Sequence, residues 1–270
     1  MAGIKRLFKP KEQVPKKARI IASALTFGVI GTVWCVLSYG GYVPGLFLPP
    51  PGKVLVDLYN FFIYENFIYD VWRSSFRIVV GFGIACIIAL PLGILMGTYS
   101  IINSMFDKLI NFFIYLPVAA LIPLFILWLG IGDAQKIAVI TVGVFYMAVL
   151  MATDTAANIQ EDIVDSAYTL GASQMEVLTK VIIRAALPGL IENMRILMGA
   201  AWTYLVVAEL VAANSGMGYQ ILEAMRGMFV GKIFAALLSI GCLGVLFANA
   251  FKALNRILFP WYTYGGFEEQ

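Results

Sequence analysis

One largely apolar run of this sequence, Leu187 to Ala213, holds the oppositely charged Arg195 and Glu209 deep within it. A charged side chain at bilayer depth is costly, so residues of this kind mark pathways for polar solutes or paired structural contacts. Fourteen residues span about 21 Å of α-helix, so these two cannot pair with each other within that run. Arg195 can snorkel to the surface or line a path. Glu209 can cap the outer mouth, pair with a base in an outer loop, or line the same path. Trp202 and Tyr204 lie between the two charges, Tyr146 lies in another apolar window, and Asn111 and Tyr115 lie in a third. Any of these could face a cavity. Arg77 is a weaker candidate, either for attracting anions or as an interface anchor. Covalent and metal chemistry has no comparable basis. Histidine is absent, and Cys35, Cys86 and Cys242 are scattered through apolar stretches. That excludes His-based triads, a zinc site and a disulfide framework. No catalytic residue, metal site or cofactor is expected.

The elements that must position these residues are membrane helices. Of 270 residues, 61% are hydrophobic and 13% charged, well outside the range of soluble domains. A bilayer core needs about 20 apolar residues per helical span. Apolar windows mark six, uncharged except for the interrupted fifth: Ile20 to about residue 39, Ile78–Phe106, Leu109–Gly132, Ile137–Thr153, Leu187 to about Ala213, and Ile233–Phe251. The expected fold is therefore all-α, a polytopic membrane protein with six transmembrane helices and no separate soluble domain. Seven of the 19 Lys and Arg fall within the first 19 residues, a basic tail that the positive-inside rule assigns to the cytoplasm. An even number of spans returns the C-terminus to the same side. The expected organisation is a tail over residues 1–19, a permeating domain over 20–258 with a long cytoplasmic loop over 154–187, and a C-terminal cytoplasmic tail over 259–270. The basic tail lacks the aromatic or motif context of a nucleic-acid site. The outer segment 40–72 carries Pro49-Pro50-Pro51 and then an aromatic stretch read mainly as interfacial anchoring.

The long loop has internal order. Ile163, Ala167 and Leu170 recur at helical spacing, which predicts a short amphipathic helix from about Glu161 to Leu170. Gly171 suits the left-handed residue that closes such a helix. Ser173 and Glu176 form a capping-box pair that starts the next helix, and Pro188 is expected to interrupt it ahead of the fifth span. Helices lying on lipid headgroups are usually basic, whereas this one has Glu161, Asp162 and Asp165 and no base. Docking into a protein groove suits it better.

These residues carry a resemblance. Asp165-Ser166-Ala167, Gly171 and Leu187-Pro188 resemble the conserved cytoplasmic loop of importer permeases in the ATP-binding-cassette superfamily. Asp for Glu, Ser for Ala and a slightly longer gap before Leu-Pro are departures from that pattern. The stretches FLPPPGKVL, SFRIVVGF, LPLGILMG, IPLFILWLGIGDAQK, AYTLGAS, VVAELVAANSGMGYQI and FPWY, in this order from Phe47 to Tyr262, resemble permeases of nitrate, sulfonate, taurine and bicarbonate importers. The resemblance implies an inner-membrane permease subunit that works by alternating access. It implies a coupling helix whose contact to the ATPase runs through Asp165, Ser166, Ala167, Leu170, Gly171, Ala172 and Ser173. It further implies two cytoplasmic ATPase subunits, an extracytoplasmic solute-binding protein and a second permease chain, read as an identical copy. The translocation path is expected to involve Arg195, Trp202, Glu209, Tyr146 and Tyr115. The alternative is a stand-alone secondary transporter or channel, which would want charged relays in several spans and often an internal repeat. An exporter half would need a phosphate-binding GxxxxGK[ST] loop, and none occurs.

Overall fold

The computed structural model describes residues 15–261; the first bases of the tail and Tyr262 lie outside that range. Ten helices follow one another: α1 Lys16–Tyr39, α2 Pro51–Tyr64, α3 Phe67–Thr98, α4 Ser100–Ile114, α5 Ile122–Leu129, α6 Asp133–Ala157, α7 Glu161–Thr169, α8 Gln174–Val211, α9 Met217–Arg226 and α10 Val230–Leu258. There are no strands among the described residues. Among the described residues five helices are long and apolar enough to cross a membrane, and Ser100–Ile114 with Val118–Leu129 passes the same test only as a pair, bent by 84° at its break.

Several boundaries differ from the sequence expectation, each for a physical reason. The second span was expected at Ile78–Phe106, but α3 starts at Phe67 and ends at Thr98. Its extra N-terminal turns carry Asp70, Arg73, Ser74 and Arg77, polar groups the rest of the fold neutralises. At the other end Tyr99 is extended and the chain turns into α4. The third span is not one helix. It breaks at Tyr115 to Pro117, where proline offers no backbone N–H, and resumes through a 3₁₀ turn, Val118–Leu121, into α5. The expected break at Pro188 does not occur. Helix α8 runs through this proline, which is buried and whose carbonyl accepts a hydrogen bond from Asn255 Nδ2 at 3.0 Å. This bond ties α10 to α8 at the proline, and packing among the helices tolerates the N–H that the proline lacks. Upstream, Val177–Ile182 forms a π-helical turn, a wider coil that merges the loop-side start of α8 with its long apolar part.

Helices α3, α6 and α8 make the centre. Gly81 faces Ile140, Gly93 faces Ala152 and Gly97 faces Ala156, so partners advance together and α3 and α6 run parallel. The approach is close enough that a Cβ on Gly93 would lie 2.5 Å from Ala152 Cβ and 2.6 Å from the Val149 carbonyl. In lipid, helices gain little from apolar burial against one another. Small residues that admit close packing, together with polar cross-links, must supply the cohesion. Thr141 Oγ1 donates to the Gly81 carbonyl at 3.1 Å, joining α6 to α3. Asn193 Nδ2 donates to Met151 O at 3.0 Å and Thr155 Oγ1 at 2.8 Å, joining α8 to α6 in antiparallel sense. Helix α10 packs antiparallel to α8, with Phe247 against Trp202. Helix α1 stays at the periphery, held where Trp34 donates to the Pro49 carbonyl and stacks on Phe234. The bundle therefore has two ends, one carrying α7 and the other carrying α9.

Candidate functional site

At the α9 end, the fold gathers charges that the sequence scatters across 150 positions. Asp70, Ser74 and Arg77 share one face of α3, at i, i+4 and i+7. Asp133 and Lys136 come from the first turns of α6, and Glu209 from the last turn of α8. Arg77 is 2% exposed and Glu209 fully buried, yet every guanidinium nitrogen of Arg77 is used. Its Nε donates to Asp133 Oδ1 at 2.8 Å, its Nη1 to Glu209 Oε1 at 2.5 Å and to the Ser215 carbonyl at 2.8 Å, and its Nη2 to Ser215 Oγ at 2.9 Å. Arg73 adds a second ion pair to Asp133 at 2.8 Å. Lys136 Nζ donates to the Gly132 carbonyl at 2.9 Å. Removing such charges from water is tolerable only when partners and extra hydrogen bonds replace hydration, and here they do.

The acceptor side of this cluster holds the start of α9. A helix begins with backbone N–H groups that have no partner of their own. Gly216 N–H donates to Asp70 Oδ1 at 2.6 Å, Met217 N–H to Ser74 Oγ at 2.9 Å, and Gly218 N–H to Glu209 Oε2 at 2.8 Å. Ser74 Oγ in turn donates to Glu209 Oε1 at 2.8 Å, and Gln220 Nε2 donates to Asp70 Oδ2 at 2.6 Å. Side chains from α3, more than 140 positions away, and Glu209 at the end of α8 thus cap this helix together. Arg77 was expected as an interface anchor; it is instead the centre of this buried cluster, because Asp133 and Glu209 both reach it. Asp70, Ser74, Asp133 and Ser215 were not singled out from sequence, although the i, i+4, i+7 spacing of Asp70, Ser74 and Arg77 was available there.

Between the two ends, the break after α4 opens a cavity of about 330 Å³. Phe113, Tyr115 and Pro117 line it from the break, Tyr146 and Gly143 from α6, and Tyr204 from α8. A Cβ on Gly143 would fall 2.6 Å from the Tyr204 ring, so only glycine lets that ring lie against α6. The Phe113 and Tyr146 rings stack at 5.2 Å with 6° between their planes. Tyr204 Oη donates to Met147 Sδ at 3.9 Å. Of the residues named for the path, Tyr115 and Tyr146 meet here. The others stand apart: Arg195 pairs with Glu192 one turn back on α8, Glu209 belongs to the ionic cluster, and Trp202 is buried against Phe247. Asn111 Nδ2 donates to Asp107 within α4.

At the α7 end, the loop takes the shape its residues suggest. Helix α7 covers Glu161–Thr169, and Gly171 follows with φ +84°, a conformation that β-carbon-bearing residues avoid. Ser173 and Glu176 form the reciprocal capping box that opens α8. Val164, Ala167 and Ala172 pack inward against Val177, Leu178 and Ile182. Ile163, Tyr168, Leu170 and Met175 face outward, with Leu170 89% exposed, beside the exposed Glu161, Asp162, Asp165 and Ser166. The result is a small apolar platform rimmed by acids on a helix anchored from behind.

Residues 89–264 match the family described as the binding-protein-dependent transport system inner membrane component. A probable ABC transporter permease of Brucella melitensis is 33% identical over 237 residues, covering 88% of this chain and 95% of that protein. The Escherichia coli taurine transport system permease TauC is 31% identical over 253 residues, covering 92% of each. The Synechocystis bicarbonate transport system permease CmpB is 25% identical over 248 residues, covering 87% of this chain and 88% of that one. In fold, the chain is similar to a solved structure of the inward-facing MetNI methionine ABC transporter, with a TM-score of 0.65 and 21% identity. The match covers 70% of this chain and 94% of that one.

Proposed function

This chain belongs to the binding-protein-dependent inner membrane components, the permease subunits of ATP-driven importers, and on that premise we propose how its parts divide the work. The solute is a small anion such as nitrate, or one of the solutes named for its relatives: taurine, an alkanesulfonate or bicarbonate. The α7 end is cytoplasmic, as are both termini, and a separate ATPase subunit docks there. Of the seven residues that the resemblance gave to this contact, Asp165, Ser166, Leu170, Gly171 and Ser173 form it, while Ala167 and Ala172 pack inward and hold it from behind. A solute-binding protein delivers its cargo at the α9 end, and two identical permease chains form the membrane unit. ATP is hydrolysed on the partner, and this chain converts that event into a change of shape.

The observation that carries this proposal is the α7 platform. Its inward residues are committed to the bundle, while Ile163, Tyr168, Leu170 and Met175 are left uncovered on a helix whose acids disfavour an anionic lipid surface. An exposed apolar face of this kind calls for a protein groove. Rigid packing behind it lets a push on α7 reach α8 through Val177, Leu178 and Ile182.

The test is ATP hydrolysis by the permease reconstituted with its ATPase and binding protein, comparing wild type with Leu170→Asp. Leu170 contributes almost nothing to the core, so the variant should fold. Binding-protein-stimulated hydrolysis should drop at least tenfold. If the ATPase does not co-purify with wild type, and solute still crosses the bilayer, the chain works as a secondary transporter and the proposal fails.

A further inference from the structure

The cavity at the break after α4 discriminates among the solutes just named, and this step rests on the importer reading. We propose that it is a transit site for organic anions with an apolar carbon body, such as alkanesulfonates, and not for bare inorganic oxyanions.

The lining decides this. No Asp, Glu, Lys or Arg is among the residues that form the cavity. Its walls are the rings of Phe113, Tyr115, Tyr146 and Tyr204 together with the Met147 thioether, and its side-chain hydrogen-bond donors are tyrosine hydroxyls. A nitrate or bicarbonate ion entering here would give up water for aromatic faces and a few neutral donors, with no cation to compensate. Its charge is spread over so few atoms that almost the whole ion needs hydration. An alkanesulfonate divides the problem. Its carbon chain gains by leaving water for the rings and the soft thioether, while its head keeps water or meets the hydroxyls.

Size points the same way. About 330 Å³ is roughly eleven times the volume of a liquid water molecule, far more than a four-atom ion fills, and lies at the small end of organic ligand sites. The site also sits where a path should be. It opens at the 84° bend between two apolar helices, and irregular backbone at membrane depth is tolerated where it lines a cavity. In the charge cluster around Arg77 and Glu209, every guanidinium nitrogen of Arg77 is already committed to Asp133, Glu209 or Ser215, so this arginine is not free to meet a solute.

The experiment uses the permease–ATPase complex in detergent without binding protein, so that the solute meets the membrane domain alone. Its thermal midpoint is followed against butanesulfonate, nitrate and bicarbonate at matched ionic strength. Butanesulfonate should raise the midpoint saturably, as any ligand of the native state must, and the two inorganic ions should not. Two variants locate the effect: Tyr146→Ala removes a wall, and Val118→Trp fills the space from the break. Each should raise the half-saturating concentration at least tenfold, and either alone suffices if the other fails to assemble. A midpoint that nitrate raises as strongly, or that does not respond to butanesulfonate, overturns the proposal. So does a response that both variants leave unchanged. If the complex assembles and binding protein stimulates hydrolysis while butanesulfonate has no effect, this inference alone is lost. If no complex forms, the importer reading falls and takes it along.

Discussion

Arg77 and Glu209 are separated by 132 residues of sequence, and their side chains meet at 2.5 Å in a site that excludes water. Breaking a buried pair from one side strands the other charge, at a cost of about 3–5 kcal/mol. Glu209→Ala should therefore lower the thermal midpoint of the detergent-solubilised protein sharply, and Arg77→Met should do likewise. The double variant Arg77→Met/Glu209→Leu should lose less than the sum of the two, because it removes both charges together. Strict additivity would mean the pair is not coupled.

Glycines on α3 should divide by the face they occupy. Gly93→Ala places a methyl 2.5 Å from Ala152 Cβ, so α3 and α6 must part. Gly83 meets nothing within 4 Å, and alanine there gains the ordinary helix preference of about 1 kcal/mol over glycine. Thermal unfolding of the two single variants should move in opposite directions. Equal losses would show that neither helix face matters more than the other.

The turn after α7 gives a local test. Gly171→Ala must hold a β-carbon at φ +84°, costing about 1–2 kcal/mol within the turn. Coupled ATP hydrolysis should fall while the midpoint of the bundle barely moves. A proline at this position could not adopt that φ at all and should uncouple more completely.

Trp202 separates packing from transport. Its ring is 4% exposed and rests on Phe247, and its indole N–H has no acceptor among the described residues. Trp202→Phe should keep stability and uptake close to wild type, since it loses no hydrogen bond. Trp202→Ala opens a hole worth about 3–5 kcal/mol. Uptake that collapses in a fully stable Trp202→Phe protein would return this residue to the path.

These contrasts show where the sequence was legible. The capping box at Ser173 and Glu176 and the left-handed Gly171 are local devices, and each stands in the fold as its residues suggest, whereas the period Ile163, Ala167, Leu170 is split, with Ala167 turned inward and the other two outward. Spans showed as uncharged windows, but their ends did not. Asp70 and Arg77 read as the outside of a membrane because a single sequence does not reveal that Asp133 and Glu209 will neutralise them. Pro188 read as a stop because the helix that packs on it, through Asn255, lies 67 positions away. The aromatic cavity depends on Gly143 admitting Tyr204, a contact between helices that no period within either helix encodes.

Since α3 and α6 are parallel and α10 opposes α8, the positive poles of three helix macrodipoles collect at the α9 end, and α9 adds a fourth there. Each pole has an acid stationed at it: Asp70 in the first turn of α3, Asp133 in that of α6, Glu209 on the start of α9, and Asp57 against Gly231 in the first turn of α10. The permanent fields of backbone and carboxylate largely cancel. The helix poles at the α9 end, together with Arg73 and Arg77, each face a carboxylate, so this end of the bundle is held neutral by pairing and not by the absence of charge.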